Sequence, residues 1–593
     1  MSHALDILRD TFGYTEFRGN QAEIIEHIIQ GEHALVLMST GAGKSLCYQI
    51  PSLLRLGVTI VVSPLVSLMQ NQVSVLIELG ISAACLNAGT DLSDTQAIFE
   101  AIQQDQLNLL YVAPERLLSP NFLKFIDKIN IGLFAIDEAH CVSQWGNYFR
   151  PEYQQLNILA KRYPYVPRLA LTATADQQTC QDIIDYLDLS DAKQFISSFD
   201  RPNLFYQALA KHHVKKQLLD FIRNEFMGAS GIVYCLSRKR VEAITHWLCE
   251  QGIHAISYHA GLDPSTRENN QYQFLHQDNV VMVATIAFGM GIDKPDIRFV
   301  AHIDMPKSLE NFYQESGRAG RDEMPATSWL CYGLNDFVQL KTRIMQSSMP
   351  NELKRIELKR LNEVLTFCET TACRCQYLLG YFNEESKPCG HCDNCLNPPK
   401  TYDASLISQK LMSCIYRTKQ SFSAQHIVNI LRGKATTLVK FHQHEQLSTY
   451  GIGSDVSEKE WRALIRQLIS QDFLDVDVEV NFALRLTQKS RAILKGESFI
   501  TAKSIVKATR IKRDHLWLRT ERQERIWQAL REWRFCMAAK YQVPTYGILS
   551  DRTLRELVEI HPMDHEALSK IYGIGKTKQC RYGEKLLDIL QFV

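Results

Sequence analysis

Between Ala34 and Ala175 the chain alternates short apolar runs with longer segments in which apolar residues recur every three or four positions. Leu35-Val36-Leu37, Val58 to Val62, Leu107 to Val112, Leu133 to Ile136 and Leu169 to Leu171 show almost no alternation of apolar with polar residues. Such runs suit strands covered on both faces, as in a parallel sheet flanked by helices. A second alternation begins near Asn203, with runs at 231–235, 255–259, 280–285 and 299–303 separated by helix-patterned segments such as Arg240 to Glu250. The pattern predicts two α/β units of similar plan and a cleft between them. After the break at Asn397-Pro398-Pro399-Lys400, Trp461, Leu464, Ile465 and Leu468 recur at helical spacing. An alternating stretch from Phe473 to Leu486 follows. Helices followed by a small hairpin predict a winged helix.

In parallel sheets ligands collect beyond the carboxyl ends of the strands, so the polar residues after each run carry the chemistry. Leu37 is followed by Met38-Ser39-Thr40-Gly41-Ala42-Gly43-Lys44-Ser45, then by Leu46, Ile50, Leu53 and Leu54 at helical spacing. This reads as strand, phosphate loop, helix. Gly41 and Gly43 let backbone N–H groups surround an anion at a helix N-terminus, Lys44 reaches the β- and γ-phosphates, and Ser45 ligates Mg²⁺. Met38 stands where the full G-x-x-x-x-G-K-[ST] pattern has its first glycine. After Ile136 come Asp137-Glu138-Ala139-His140; Asp137 is assigned to the metal and Glu138 to the attacking water. In the second unit, Gln314 to Arg321 supplies two guanidiniums, Arg318 and Arg321. A phosphoryl-transfer site needs such groups from its opposite wall.

Composition changes the picture in three places. A length of 593 residues exceeds a single core and suggests about four domains. The net charge of +1 hides a stretch from Thr501 to Lys540 with eleven Lys or Arg against four Asp or Glu, which could bind phosphates or form a solvated helical face. The chain shows neither a basic-then-apolar leader nor an apolar run of membrane-spanning length, so a cytoplasmic protein with no membrane partner is expected, nucleoid-associated if bacterial. Sixteen cysteines are then not expected to pair. Six of them fall between Cys368 and Cys395. Cys389, Cys392 and Cys395 lie at x2 spacing, with Cys373 upstream, a set that fits one structural Zn²⁺; an iron–sulfur cluster is the chemical competitor.

Together with Phe12-Gly13-Tyr14, Phe17-Arg18, Gln21, Val62-Ser63-Pro64-Leu65, Leu171 to Ala175 and Ala287 to Lys294, these motifs resemble the RecQ family of superfamily 2 helicases. Val543 to Leu554 and Ile571 to Thr577 are similar to the small helical HRDC domain that ends many of its members. The resemblance spans nearly the whole chain. It implies two RecA-like lobes, 1–202 and 203–345, a helical zinc-binding module, 346–400, a winged helix, 401–510, and a basic linker with an all-helical HRDC domain, 511–593.

The resemblance also implies roles. Tyr14, Arg18 and Gln21 would hold the adenine, with Thr40, Gly41, Gly43, Lys44 and Ser45 around the phosphates. Arg318 and Arg321 are similar to arginine fingers and are left unranked. His140 would couple the nucleotide to DNA, and Trp145 and Phe149 of the loop 141–153 would stack on unpaired bases. Asn147 and Tyr148 stand where the family usually has His-Asp, and Gly19-Asn20 where it usually has Pro-Gly. Family register selects Cys373 as fourth zinc ligand; Cys368, Cys375 and His391 are neighbouring alternatives. Duplex contact falls to the winged helix, with Lys434, Arg462 and Arg466 as candidate phosphate contacts and the hairpin around Asp475 to Phe482 near the point of strand separation. Gly573-Ile574-Gly575-Lys576 either offers amides and a cation to a phosphate or makes a turn between helices.

The expected activity is ATP-dependent, 3′-to-5′ unwinding of duplex DNA in repair and recombination. ATP, Mg²⁺ and Zn²⁺ are the expected cofactors. The expected partners are DNA with single-stranded/duplex junctions and single-strand-binding or other repair proteins. Two other readings stay open: a DNA-dependent translocase or annealing factor that does not separate strands, and a non-enzymatic DNA-binding module.

Overall fold

The computed structural model describes residues 2–87, 89–143, 150–173, 177–289, 294–504, 520–541 and 543–592. Seven strands build the first sheet: β1 (Ala34–Leu37), β2 (Val58–Val62), β3 (Ala83–Leu86), β4 (Leu109–Val112), β5 (Ile131–Ile136), β6 (Arg168–Thr172) and β7 (Lys193–Ile196). They run parallel in the order β3-β4-β2-β5-β6-β1-β7. Every residue of β1, β2, β4, β5 and β6 is buried. Their side chains alternate between two cores, Leu35, Ile60, Leu110 and Phe134 on one face and Val36, Val61, Leu109 and Leu133 on the other. Burial on both faces is why these strands read as unbroken apolar runs.

The second sheet contains β8 (Leu204–Ala210), β9 (Gly231–Tyr234), β10 (Ala255–Tyr258), β11 (Val281–Ala284), β12 (Phe299–His302) and β13 (Ala326–Tyr332). These are parallel in the order β10-β11-β9-β12-β13-β8. Four strands of the two sheets, β3, β7, β8 and β13, have no counterpart among the apolar runs of the sequence. β7 is an edge strand with only Phe195 buried, and β13 buries Thr327 and Ser328 among its apolar residues, so neither carries a continuous hydrophobic signal.

Beyond the lobes, helices Asn351–Glu369 and Arg374–Tyr381 carry the cysteine-rich segment. Asp393 beside it accepts from the Ala208 amide on β8 at 3.0 Å. The winged helix comprises helices Ser405–Arg417, Ala424–Leu431 and Glu458–Ser470 with an antiparallel hairpin, Leu474–Asp477 against Ala483–Leu486. A reciprocal cap between Ser457 and Glu460 starts its third helix. The last domain packs helices Glu521–Tyr541, Asp551–Ile560 and Lys576–Phe592 around Leu530, Leu554, Leu557, Leu586 and Leu590. Among the described residues no helix is long and apolar enough to cross a membrane.

Glu369 joins the zinc-binding and winged-helix modules. Its buried carboxylate takes Arg466 Nε at 2.8 Å and Lys503 Nζ at 3.0 Å. Arg466, expected on the nucleic-acid face, is therefore an internal tie, and its guanidinium also lies over the Tyr332 ring. Lys434 and Arg462 both pair with Glu458. Burial pushes the Glu369 carboxyl up, but Lys503 and Arg466 outweigh it and hold it at about 2. A depressed carboxylate stabilises the fold above its unfolded pKa, and that contribution is lost as pH falls through the folded value. Glu369→Ala strands two buried cations and is expected to cost about 3–5 kcal/mol in urea unfolding near neutral pH. The gap from wild type should narrow below about pH 4.5, where the free carboxyl protonates.

Candidate functional site

The turn after β1 forms a phosphate loop without the missing first glycine. Met38 is buried; its amide donates to the Thr172 carbonyl of β6 at 3.1 Å, and its carbonyl accepts Lys44 Nζ at 3.1 Å. The position is thus core and anchor. Gly41 and Gly43 have φ of +86° and +83°, a region costly for other residues. A side chain would also crowd its neighbours: a methyl at Gly43 would lie 2.6 Å from Gln21 Nε2, and one at Gly41 3.1 Å from Arg321 Cγ. Gln21 donates to the Ala42 and Gly43 carbonyls at 3.1 and 3.0 Å and accepts from the Arg18 amide at 2.9 Å. It therefore joins the Tyr14–Arg18 segment to the phosphate loop.

Asp137 and Glu138 follow β5, separated from β1 by β6 alone. Glu138 has φ +50°, a left-handed backbone that costs a non-glycine residue of order 1 kcal/mol and recurs at working sites. Its carboxylate lies 3.4 Å from His140 Nδ1, which is 3.0 Å from the Thr172 hydroxyl. Burial lowers the His140 pKa, Glu138 opposes the shift, and Lys44 adds to it. The imidazole bridges Glu138 to the end of β6.

The second lobe supplies the facing wall. Helix Leu309–Ser316 ends at Gly317, and Arg318, buried to 3% exposure, has a buried Nε with no hydrogen-bond partner. Arg201, between the lobes, holds this turn to the phosphate loop. One of its terminal nitrogens donates to the Thr40 carbonyl at 2.5 Å and the Gly317 carbonyl at 3.2 Å; the other donates to Ala319 and Gly320, each at 3.0 Å. Asn203 adds bonds to Gly320 and Met324. Neither residue was legible beforehand, because Asp200-Arg201-Pro202-Asn203 is a short polar segment with no periodicity.

These groups line one cavity of about 460 Å³. Lys44, Ser45, Asp137, Glu138, Arg318 and Arg321 line it together with Tyr14, Arg18 and Gln21, and so do Thr40, Gly41 and Gly43. Arg552 and Tyr572 of the carboxy-terminal domain line it too. Nearby Asp322 is pushed up to about 6 by burial, against the pull of Arg298. Trp145 and Phe149 lie outside the described residues, as do 174–176, 290–293 and the 505–519 part of the basic stretch.

A second site is built from thiols. The sulfurs of Cys373, Cys389, Cys392 and Cys395 all lie within 4.8 Å of one another. The Cys389–Cys395 and Cys373–Cys392 separations are 3.9 Å, close to the edge of about 3.8 Å for sulfurs about 2.3 Å from a tetrahedral Zn²⁺. Amides of Gln376 and Cys389 donate to Cys373 Sγ, and those of His391 and Cys392 to Cys389 Sγ. Such donors stabilise thiolates, so the set fits a closed zinc centre. Cys375, Cys389 and His391 form a smaller alternative group. Cys368 is in neither set.

Guanidiniums on one lobe and a phosphate loop on the other can act together only while the lobes are closed. That arrangement defines a two-lobed, nucleotide-driven motor. Family models agree along the chain: DEAD/DEAH box helicase at 18–183, helicase conserved C-terminal domain at 213–323, RecQ zinc-binding at 334–396, RQC domain at 398–510 and HRDC domain at 523–590. The chain is 42% identical to the ATP-dependent DNA helicase RecQ of Pasteurella multocida (strain Pm70), over 99% of this chain and 93% of that protein. It is 36% identical to the protein of the same description from Bacillus subtilis (strain 168), over 100% of this chain and 99% of that one. The chain belongs to the RecQ family of DNA helicases.

Arg201→Lys retains a charge but not the fork that reaches four carbonyls. It is expected to lower the kcat of DNA-stimulated ATP hydrolysis at least tenfold with an unchanged circular dichroism spectrum; wild-type kcat would remove Arg201 from the closed-state architecture.

Proposed function

We propose that this chain is an ATP-driven helicase that travels 3′ to 5′ on one DNA strand and separates the duplex ahead of it, acting in the cytoplasm on junctions between single- and double-stranded DNA. The observation that carries the reading is the single cavity lined by Lys44 and the acidic pair from one lobe and by Arg318 and Arg321 from the other. Lys44 holds the β- and γ-phosphates, Glu138 orients the attacking water and takes its proton, and Arg318 with Arg321 meets the charge that develops on the γ-phosphate. Ser45 and Asp137 offer a hydroxyl and a carboxylate to Mg²⁺, which screens the phosphate oxygens when bound. His140, placed between Glu138 and the Thr172 hydroxyl, couples the state of the site to DNA. Tyr14 and Arg18 take the adenine. Loss of the γ-phosphate frees the guanidiniums, the lobes part, and DNA held across both advances. Cys373, Cys389, Cys392 and Cys395 hold one structural Zn²⁺. Repair and recombination, alongside single-strand-binding proteins, are the setting in which such junctions arise.

The test compares strand displacement on forked, 3′-tailed and 5′-tailed duplexes. Forks and 3′ tails should be opened and 5′ tails should not. Lys44→Ala should lose hydrolysis and displacement while binding DNA within about threefold of wild type, since phosphate contacts and DNA contacts are separate. Displacement by Lys44→Ala would refute the site, and hydrolysis without displacement on any substrate would favour a translocase.

Titration of the folded chain with a mercurial should release one zinc per molecule. Cys392→Ala should purify without zinc and unfold at lower temperature, because a structural site contributes folding energy directly. A metal-free Cys392→Ala chain with wild-type thermal stability would sink the assignment.

A further inference from the structure

The carboxy-terminal helical domain docks on both lobes, and its contacts converge at the end of the cavity where Tyr14 and Arg18 lie. The Tyr572 ring sits 4.9 Å from that of Tyr14, and its hydroxyl accepts from the Arg18 guanidinium at 2.9 Å. Arg552 also lies over the Tyr572 ring, 3.9 Å from the centroid. Glu323 of the second lobe pairs with Arg18 of the first, at 3.0 Å, and also with Arg552 of the third body. One carboxylate thus joins three domains beside the cavity.

The docking is close enough to exclude side chains from the backbone. The Gly573 amide donates to the Gly13 carbonyl at 2.8 Å. A methyl at Gly13 would meet the 573–575 backbone at 2.6–2.7 Å, and one at Gly575 would lie 2.7 Å from the Asp10 carbonyl and 2.9 Å from that of Thr11. Lys576 pairs with Asp10 and Arg581 with Glu78 on the first lobe; Arg531 pairs with Asp278 on the second. The Gly573–Lys576 turn, one candidate for phosphate binding in the sequence, is engaged with the first lobe instead.

We propose that Tyr572 and Arg552 form the outer wall of the adenine end of the nucleotide site, which is therefore built by three domains. The inference rests on the reading that Tyr14 and Arg18 mark that end. Both residues line the cavity, and an aromatic ring beside a guanidinium offers a nucleobase apolar contact and a planar cation. The phosphates are held without the third body, so its contribution belongs to affinity for ATP and not to the bond-breaking step.

The experiment is steady-state ATP hydrolysis by the full chain on saturating single-stranded DNA, resolved into KM and kcat. Tyr572→Ala removes the wall. Gly575→Ala, outside the cavity and at a position without positive φ, displaces the whole domain through the Asp10 and Thr11 carbonyls. Each should raise the KM for ATP about tenfold, the equivalent of one stacked ring, with kcat within about threefold of wild type. Tyr572→Phe keeps the ring and should stay within about twofold. An unchanged or lowered KM for Tyr572→Ala or Gly575→Ala, or a Phe variant as poor as Ala, overturns the proposal. Tyr14→Ala is measured in parallel: if it too has a wild-type KM, the assignment of the adenine end falls, whereas a raised KM for Tyr14→Ala alone sinks only the third wall.

Discussion

The Arg201 guanidinium is the group on which the closed arrangement depends. It is buried, it carries a full charge, and its donors are met by carbonyls from both lobes: Thr40 of the phosphate loop and Gly317, Ala319 and Gly320 of the arginine-bearing turn. Pulling the lobes apart at this point removes acceptors from a desolvated cation, so separation is costly unless water enters with it. A small set of backbone carbonyls thereby fixes how near Arg318 and Arg321 can stand to Lys44. The contact between Gly41 and Arg321, where an added methyl would lie 3.1 Å from Arg321 Cγ and force it to yield, is the same constraint seen from the phosphate loop.

Within the first lobe, His140 stands between the acidic pair and β6. Burial and Lys44 lower the pKa of this imidazole against the pull of Glu138, and its Nδ1 faces both Glu138 and the Thr172 hydroxyl. Thr172 closes β6, the strand between the phosphate-loop strand and the acidic-pair strand. Glu138 is thereby connected to a sheet position adjacent to both the phosphate-loop strand and the acidic-pair strand, through two contacts of 3.4 and 3.0 Å.

What could be read beforehand follows from how local each signal is. Interior strands were legible because burial on both faces abolishes alternation, and Lys44, Ser45, Asp137 and Glu138 because each stands directly after such a strand. Edge strand Lys193–Ile196 was not, since three of its four residues are exposed. Of the four cysteines that come together, three share one knuckle, and only the position of Cys373 needed more than spacing. Arg201 was invisible because its meaning lies in partners more than a hundred residues distant on either side. Arg466 was misjudged for the same reason: on its own helix it is one more cation, and the Glu369 that neutralises it comes from another module. Long-range pairing of charges is a property of the assembled fold, and no window of sequence contains it.

The two ways in which accessory domains are attached differ in kind. The winged helix is joined through Glu369, a carboxylate at 1% side-chain exposure with two cationic partners, where opening the joint would leave charges without solvent or partner. The carboxy-terminal domain is held to the first lobe by pairs such as Lys576–Asp10, whose side chains are 74% and 48% exposed, and exposed pairs are each worth under about 1 kcal/mol and weaken with salt. It is held to the second lobe by Asp278, which meets the buried Arg534 at 3.1 Å and Arg531 at 2.9 Å. On the first lobe its backbone meets that of Gly13 through the Gly573–Gly575 turn, beside the contact of Tyr572 with Tyr14 and Arg18. The first joint thus rests on one fully buried carboxylate, while the second combines exposed pairs with the buried Arg534–Asp278 pair, and it closes over the end of the cavity where Tyr14 and Arg18 lie.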